Sequence, residues 1–240
     1  MARFIFVSGA FHSAWCWELV IPLLEARGHR AEAIDLPGMG ADRTPFAETS
    51  FADWAQSVVT AAESDLEKPI LVGHSRGGVV ISQAAELAPD KLRMNVYLAA
   101  LLVGDGKTAL DPQERQGIDI SQMAQPNTPD GLAMFATPEL TAVAYENSSA
   151  ELLARAHSHV TPEPAFALTT PLSLSAERYG SVKRAYLECL QDKVVPLDVQ
   201  RSMQALEPCQ LVRSIDTDHC PNYSAPELVT EALDDIAGAA

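Results

Sequence analysis

The sequence has little of two features that define other classes of protein, namely long apolar runs and basic residues. Its longest uninterrupted apolar run, Val96–Val103, has eight residues, whereas a membrane-spanning helix needs about 20. Lysine and arginine number 17 against 32 aspartate and glutamate residues, which gives a net charge of −15. An acidic surface repels phosphate backbones and anionic lipid headgroups, so neither nucleic acid nor membrane is expected as a partner.

The few cysteines and the start of the chain exclude two further classes. Cys16, Cys189, Cys209 and Cys220 form no CxxC pair and no metal-finger spacing, so no metal site is expected. The first apolar run, Phe4–Val7, has four residues, and the core of a secretory signal needs about 7–15. We therefore expect a soluble, cytoplasmic protein.

The remaining pattern is an alternation of short apolar runs and longer amphipathic stretches. This pattern is typical of a parallel sheet with crossover helices, and 240 residues suit one such domain. The predicted strands are Arg3–Val7, Arg30–Asp35, Pro69–Gly73, Arg93–Ala99, Arg184–Leu190 and Gln210–Ser214. The predicted helices are 14–27, 51–66, 76–87, 197–205 and 226–236.

Residues 104–180 interrupt this regularity. They hold seven of the 16 prolines and no convincing strand, and loops of such length in compact domains are usually functional lids or disordered inserts. Their apolar content is too high for disorder. We therefore predict a core of residues 1–103 and 181–240, with a mostly helical cap of residues 104–180 inserted after the fourth strand.

The strongest chemical signal is the segment Gly73-His74-Ser75-Arg76-Gly77-Gly78. It follows an apolar strand and precedes a helical pattern, which is the strand–turn–helix setting of a nucleophile elbow. The glycines make room for a serine on so tight a turn. Ser75 is thus the candidate nucleophile, and the backbone N–H of Arg76 points into the same space.

A serine hydroxyl needs a base, and the base needs an acid to orient it. Of six histidines, His219 lies in the loop between the last strand and the last helix, which fits the chain order serine, acid, histidine. Asp192 follows the fifth predicted strand and is the leading acid, and Asp105 after the fourth strand is its rival. A second oxyanion donor, besides Arg76, is expected from the loop after the first strand, with the N–H of Ala10 chosen.

Together these residues resemble an α/β-hydrolase, and more narrowly the group that contains plant methylesterases, hydroxynitrile lyases and bacterial esterases. The resemblance rests on the segments Gly9–Trp17, Pro22–His29, Ala33–Gly38, Gly73–Gly78 and Glu177–Arg184, together with Asp192 and Asp218-His219. It implies an α/β fold with a mostly parallel sheet of about six strands, helices on both faces, a helical cap over the site, and no cofactor.

Three departures from the family pattern bear on function. Hydroxynitrile lyases of the group carry threonine where Gly9 stands and lysine where Cys220 stands, so lyase activity is disfavoured. Many esterases have His-Gly at the start of the oxyanion loop, where this chain has Ser8-Gly9. A histidine at that point usually braces the loop.

We therefore expect a serine carboxylesterase that forms an acyl-enzyme on Ser75. Its substrate is expected to be a small to medium ester with an apolar or aromatic part. Candidate pocket residues are Phe11, Met123, Phe135 and Phe166, each of which could equally belong to the core of the cap. The alternatives are a lactonase or a carbon–carbon bond hydrolase with the same triad, or a ligand-sensing protein without turnover. The chain is expected to be a monomer or a homodimer.

Overall fold

The computed structural model describes residues 1–112, 124–126 and 131–239, and for 124–126 it describes the backbone alone. The strands, in chain order, are β1 (Arg3–Val7), β2 (Arg30–Ala33), β3 (Ile70–His74), β4 (Met94–Leu98), β5 (Ala124–Pro126), β6 (Ala133–Ala136), β7 (Glu163–Pro164), β8 (Arg184–Cys189) and β9 (Leu211–Ile215). Six of them form a parallel sheet in the order β2-β1-β3-β4-β8-β9.

The burial of each strand follows its place in this sheet. Every residue of β1, β3, β4 and β8 is buried, because helices cover both faces of the central strands. The edge strands β2 and β9 alternate between partly buried and exposed positions along most of their length. The six strands predicted from the sequence are confirmed, each with ends shifted by no more than two residues.

Helices cover the two faces of the sheet. The α-helices are α1 (Val20–Ala26), α2 (Phe51–Glu63), α3 (Gly77–Leu87), α4 (Pro138–Ala144), α5 (Ala150–His159), α6 (Phe166–Thr169), α7 (Leu197–Leu206), α8 (Pro221–Ser224) and α9 (Pro226–Ala239). Helix α1 packs against α9, and α2 packs against α3. The stretch 14–27, predicted as one helix, is a 3-10 turn at Ala14–Trp17 followed by α1.

The chain between β4 and β8 contains a second, smaller sheet. Strands β5, β6 and β7 pair antiparallel, and α4, α5 and α6 lie in the same stretch. The sequence-based expectation that residues 104–180 hold no strand is therefore wrong. These strands have three, four and two residues, which is too short for a period-two pattern to be visible.

The order of the strands determines where a crevice forms. From β1 the chain passes outward to β2 and then returns to β3 on the other side of β1. The loops that follow β1 and β3 therefore diverge at the carboxyl edge of the sheet, and ligands of open α/β sheets bind at such a switch point. No helix in the described part of the chain is long and apolar enough to cross a membrane.

Candidate active site

Ser75 lies on a sharp turn between β3 and α3. Its φ is 51°, a left-handed backbone that a serine rarely adopts. Hydrogen bonds hold this turn, because the Ser75 N–H donates to the Leu98 carbonyl (3.2 Å) and the Ser75 carbonyl accepts from the N–H of Leu101 (2.9 Å). A Cβ on Gly77 would lie 2.4 Å from the carbonyl oxygen of Val7, so the turn packs directly on β1.

The structure brings Ser75, His219 and Asp192 into one chain of hydrogen bonds. His219 Nε2 lies 3.0 Å from Ser75 Oγ, and His219 Nδ1 lies 2.7 Å from Asp192 Oδ2. With the Nδ1 proton donated to the carboxylate, Nε2 is left as the acceptor for the serine proton. Three loops, after β3, β8 and β9, thus bring a hydroxyl, a carboxylate and an imidazole into the geometry that a nucleophile, an acid and a base would need.

The Asp192 carboxylate is fixed from its other side. Its Oδ1 accepts hydrogen bonds from the N–H groups of Val194 and Val195, both at 2.8 Å. The rival acid, Asp105, instead accepts a hydrogen bond from the N–H of Leu174 at an exposed position. Of the two candidate acids, only Asp192 reaches His219.

The two predicted oxyanion donors are the backbone N–H groups of Ala10 and Arg76. Within the described residues, neither the N–H of Ala10 nor that of Arg76 is engaged in a hydrogen bond. The loop after β1 approaches the elbow closely, since a Cβ on Gly9 would lie 2.9 Å from Ser75 Cβ. Both groups are therefore free to receive a negative oxygen, as an oxyanion hole requires.

Two further histidines beside the site are buried. The His12 Nδ1 lies 2.6 Å from the Ala10 carbonyl and its Nε2 is hydrogen-bonded to the Tyr145 hydroxyl. Burial lowers the pKa of His12 to about 4, and burial also lowers the pKa of His74 well below its usual value. The His74 Nε2–H donates to the His219 carbonyl at 2.7 Å. Both rings are neutral at pH 7 and hold neighbouring backbone in place.

A small apolar cavity of about 60 Å³ opens beside Ser75 and His219. Apart from the loop after β1 and the residues His74, Ser75 and His219, its wall consists of Ala136, Leu140, Thr141, Ala144, Val160 and Val194. A larger cavity of about 310 Å³ lies beside α7, and Ser202 is the only serine among its lining residues. Since no histidine lines that larger cavity, the small cavity is the candidate substrate site.

The four candidate pocket residues are placed differently from one another. Phe11 lines the small cavity, whereas Met123 lies outside the described residues. Phe135 is 37% exposed, and Phe166 packs edge-on against Trp54 with ring centroids 5.1 Å apart; neither lines the cavity. Apolar residues at helical or strand spacing do not reveal which of them face a pocket, so the sequence could not separate these cases.

Sequence reasoning missed one residue beside the site altogether. Glu163 is fully buried, and its carboxylate contacts both Arg76 and the backbone of Phe11. The partners lie 87 and 152 positions away along the chain. No local pattern could have revealed these contacts.

Comparison with known proteins identifies the family to which this fold belongs. A family model described as "Alpha/beta hydrolase family" matches residues 4–232. Methylesterase 1 of Arabidopsis thaliana is 33% identical over 253 residues, covering 98% of this chain and 95% of the relative. Methyl jasmonate esterase 1 of Vitis vinifera is 33% identical, covering 93% of this chain and 92% of the relative. The crystal structure of polyneuridine aldehyde esterase superposes with a TM-score of 0.89 at 30% identity, covering 99% of each chain.

The chain therefore belongs to the α/β-hydrolase family. Within that family it belongs to the group of the plant methylesterases, as the sequence resemblance indicated. The predicted fold is confirmed, and the prediction of a carboxylesterase-type hydrolase is confirmed at the level of enzyme class.

Proposed function

We propose that this protein is a serine carboxylesterase that hydrolyses small esters through an acyl-enzyme on Ser75. The observation that carries the proposal is the continuous chain Ser75 Oγ–His219–Asp192, with contacts of 3.0 and 2.7 Å. Relatives named methylesterase and methyl jasmonate esterase support ester hydrolysis as the reaction.

The reaction follows from this arrangement in two halves. Ser75 Oγ attacks the acyl carbon while His219 Nε2 takes the hydroxyl proton, and Asp192 stabilises the resulting imidazolium. The N–H groups of Ala10 and Arg76 bind the negative oxygen of the tetrahedral intermediate. The intermediate collapses, and the alcohol leaves with the proton from His219. Water, deprotonated by His219, then attacks the acyl-enzyme in the same way and releases the acid.

The cavity restricts the acyl group of the substrate. At about 60 Å³ it is well under the roughly 150 Å³ of an engineered cavity that holds benzene. Outside the loop after β1, the elbow and His219, its wall is formed mainly by alanine, leucine and valine side chains. A short aliphatic acyl group therefore fits better than an aromatic one, and the proposal is narrowed to that class.

The test is steady-state release of p-nitrophenol from the acetate, butyrate and octanoate esters. We expect turnover of the acetate and butyrate esters, and a Ser75→Ala variant should lose on the order of a million-fold in kcat. Ser202→Ala is the matched control, because it removes the same hydroxyl from the larger cavity and should keep wild-type kcat.

Two outcomes would contradict the proposal. If wild type releases less than one product per protein over hours on all three esters, the esterase proposal fails and ligand sensing takes its place. If octanoate is the best substrate, the esterase reaction stands but the restriction to short acyl groups is wrong.

A further inference from the structure

A buried ion pair joins the elbow to the chain between β4 and β8. Arg76 Nε lies 2.7 Å from Glu163 Oε1, and the side chains of Arg76 and Glu163 are 1% and 0% exposed. Among the Arg–Glu pairs of the described residues, it is the one buried on both sides. The guanidinium also stacks on the Trp54 ring, with Cζ 4.5 Å from the ring centroid.

This ion pair forms hydrogen bonds to the oxyanion loop, the loop that follows β1, on both sides of Ala10. Arg76 Nη2 donates a hydrogen bond to the Gly9 carbonyl at 3.0 Å. The N–H of Phe11 donates to Glu163 Oε2 at 2.9 Å. The Gly9 carbonyl belongs to the peptide group that carries the Ala10 N–H, and the Phe11 N–H belongs to the next one, so one ion pair fixes the first oxyanion donor and the peptide group after it. Arg76 itself carries the second donor.

The loop needs such support because its backbone is strained. Phe11 has a φ of 66°, and a residue held in this region costs about 1–3 kcal/mol and persists only where its surroundings enforce the conformation. The Thr161 N–H adds a second contact from the same stretch of chain, donating to the Phe11 carbonyl at 3.0 Å. Ser8, at the start of the loop, accepts a hydrogen bond from Trp17 Nε1 at 3.1 Å.

Stability alone does not account for two buried charges at this place. Burial raises the pKa of the Glu163 carboxyl, and the Arg76 guanidinium and the Phe11 N–H oppose that rise. Apolar side chains of similar volume often replace a buried ion pair without loss of stability, because both desolvation penalties disappear. Apolar side chains, however, cannot accept a hydrogen bond from the Phe11 N–H, and they cannot donate one to the Gly9 carbonyl.

We propose that Arg76 and Glu163 are positioning residues, whose ion pair holds the N–H groups of Ala10 and Arg76 where the oxyanion forms. This inference rests on the proposed esterase function. According to this inference, the enzyme needs Glu163, which lies outside the triad, to reach its full kcat.

The decisive variant is the charge-neutral double substitution Arg76→Met/Glu163→Gln. Removing only one partner leaves an uncompensated buried charge and endangers folding, whereas the double variant is expected to unfold near the wild-type temperature. With p-nitrophenyl acetate, its kcat should fall roughly 10- to 100-fold while KM changes little, because a displaced oxyanion donor acts only in the transition state.

Inhibition by trifluoroacetone is a second measurement, and a general loosening of the fold would not reproduce its expected result. Ser75 Oγ adds to its carbonyl carbon, the serine proton passes to His219 Nε2, and the carbonyl oxygen becomes an oxyanion. The inhibition constant should rise by the same factor as kcat/KM falls in the double variant. The matched control is Arg3→Met/Glu32→Gln, which removes another ion pair with a buried arginine, at the opposite end of β1. It should leave kcat and inhibition unchanged.

Amide hydrogen exchange tests the structural half without any substrate. The Phe11 amide should exchange at least about tenfold faster in the double variant, because its acceptor is no longer held by Arg76. Unchanged Phe11 exchange, unchanged kcat, or an equal loss of kcat in the Arg3→Met/Glu32→Gln control would each overturn the inference. Failure of the esterase proposal would be recognised separately, as absence of turnover in wild type.

Discussion

At the scale of single residues, backbone strain is concentrated around the site. Three described residues other than glycine have positive φ, namely Phe11 at 66°, Ser75 at 51° and Ala99 at 43°. Ser75 and Ala99 come directly after β3 and β4, and Phe11 lies in the loop after β1. All three are therefore at the carboxyl edge of the sheet, where surrounding hydrogen bonds such as those of the Ser75 and Phe11 backbones hold the strained conformations.

The strain at Ser75 predicts an unusual order of stability among inactive variants. Ser75→Gly and Ser75→Ala both lack the proposed nucleophile, but only glycine adopts a left-handed backbone without cost. Ser75→Gly should therefore be more stable than Ser75→Ala by about 1 kcal/mol. Urea unfolding of the two variants measures the difference.

Ser202 provides the control, because it lies within α7. In a helix interior, glycine is less favourable than alanine by about 0.5–1 kcal/mol. The order of Gly and Ala should therefore reverse between the two positions. If alanine is more stable than glycine at both positions, the elbow of the free protein is not strained.

At the scale of elements, α2 has the clearest start signal in the chain. The Ser50 hydroxyl accepts from the Asp53 N–H at 3.2 Å, and the Ser50 N–H donates to Asp53 Oδ2 at 2.9 Å, which is a complete capping box. Its apolar face, which includes Trp54 and Val58, packs into the core. The residues that begin the helix are thus those that the sequence would favour there.

Loss of this cap should weaken the whole domain. We expect Ser50→Ala to lower the free energy of unfolding by about 1 kcal/mol and Ser50→Gly by a few tenths of that. Ser57→Ala, in the middle of the same helix, is the control and should be neutral or slightly stabilising, since alanine favours helix. Thermal or urea unfolding measures these differences in stability. An equal change in unfolding free energy in Ser50→Ala and Ser57→Ala would show that the cap does not stabilise the helix.

Elements with strong local signals could be predicted from the sequence. The strand before Ser75 reads as a continuous apolar run because β3 is buried on both faces. The positions of Ser75, Asp192 and His219 follow from such strands, since each residue lies in the loop after one. Their mutual distances do not follow from the sequence and required the structure.

What could not be predicted depends on contacts distant in sequence. The strand β7 has only two residues, and the role of its Glu163 becomes visible only from its contacts with Arg76 and Phe11. Similarly, Phe166 could have faced the substrate, and only the structure shows its ring against Trp54. Short antiparallel strands and pocket walls are decided by tertiary packing, which leaves no periodic trace in the chain.

At the scale of the whole molecule, the site is built around buried neutral histidines that tie parts of the chain together. His12 joins the loop after β1 to Tyr145, which follows α4. The pKa of His12 falls to about 4 chiefly because of burial; the nearby His219 and Arg76 contribute, while the Ala10 carbonyl opposes the shift. A protonated His12 would lose Nε2 as an acceptor for the Tyr145 hydroxyl.

This arrangement makes the fold sensitive to acid. Folding lowers the pKa of His12 from 6.5 to about 4, so the unfolded chain takes up the proton first as the pH falls. The contribution to stability is therefore complete above pH 6.5 and is lost progressively between pH 6.5 and 4. At pH 5 the loss amounts to about 2 kcal/mol of unfolding free energy.

Urea unfolding at pH 7 and pH 5 tests this linkage when wild type is compared with His12→Gln. Glutamine keeps a donor and an acceptor but does not titrate, so the decrease in unfolding free energy between the two pH values should be about 2 kcal/mol smaller in the variant. Burial also lowers the pKa of His74, so the part of the decrease that comes from the burial of His74 remains in both proteins. His157→Gln, at an exposed position of α5, should behave as wild type.

An equal decrease in wild type and His12→Gln would mean that His12 binds its proton equally well in the folded and unfolded states. The buried contact to Tyr145 would then not account for the acid sensitivity.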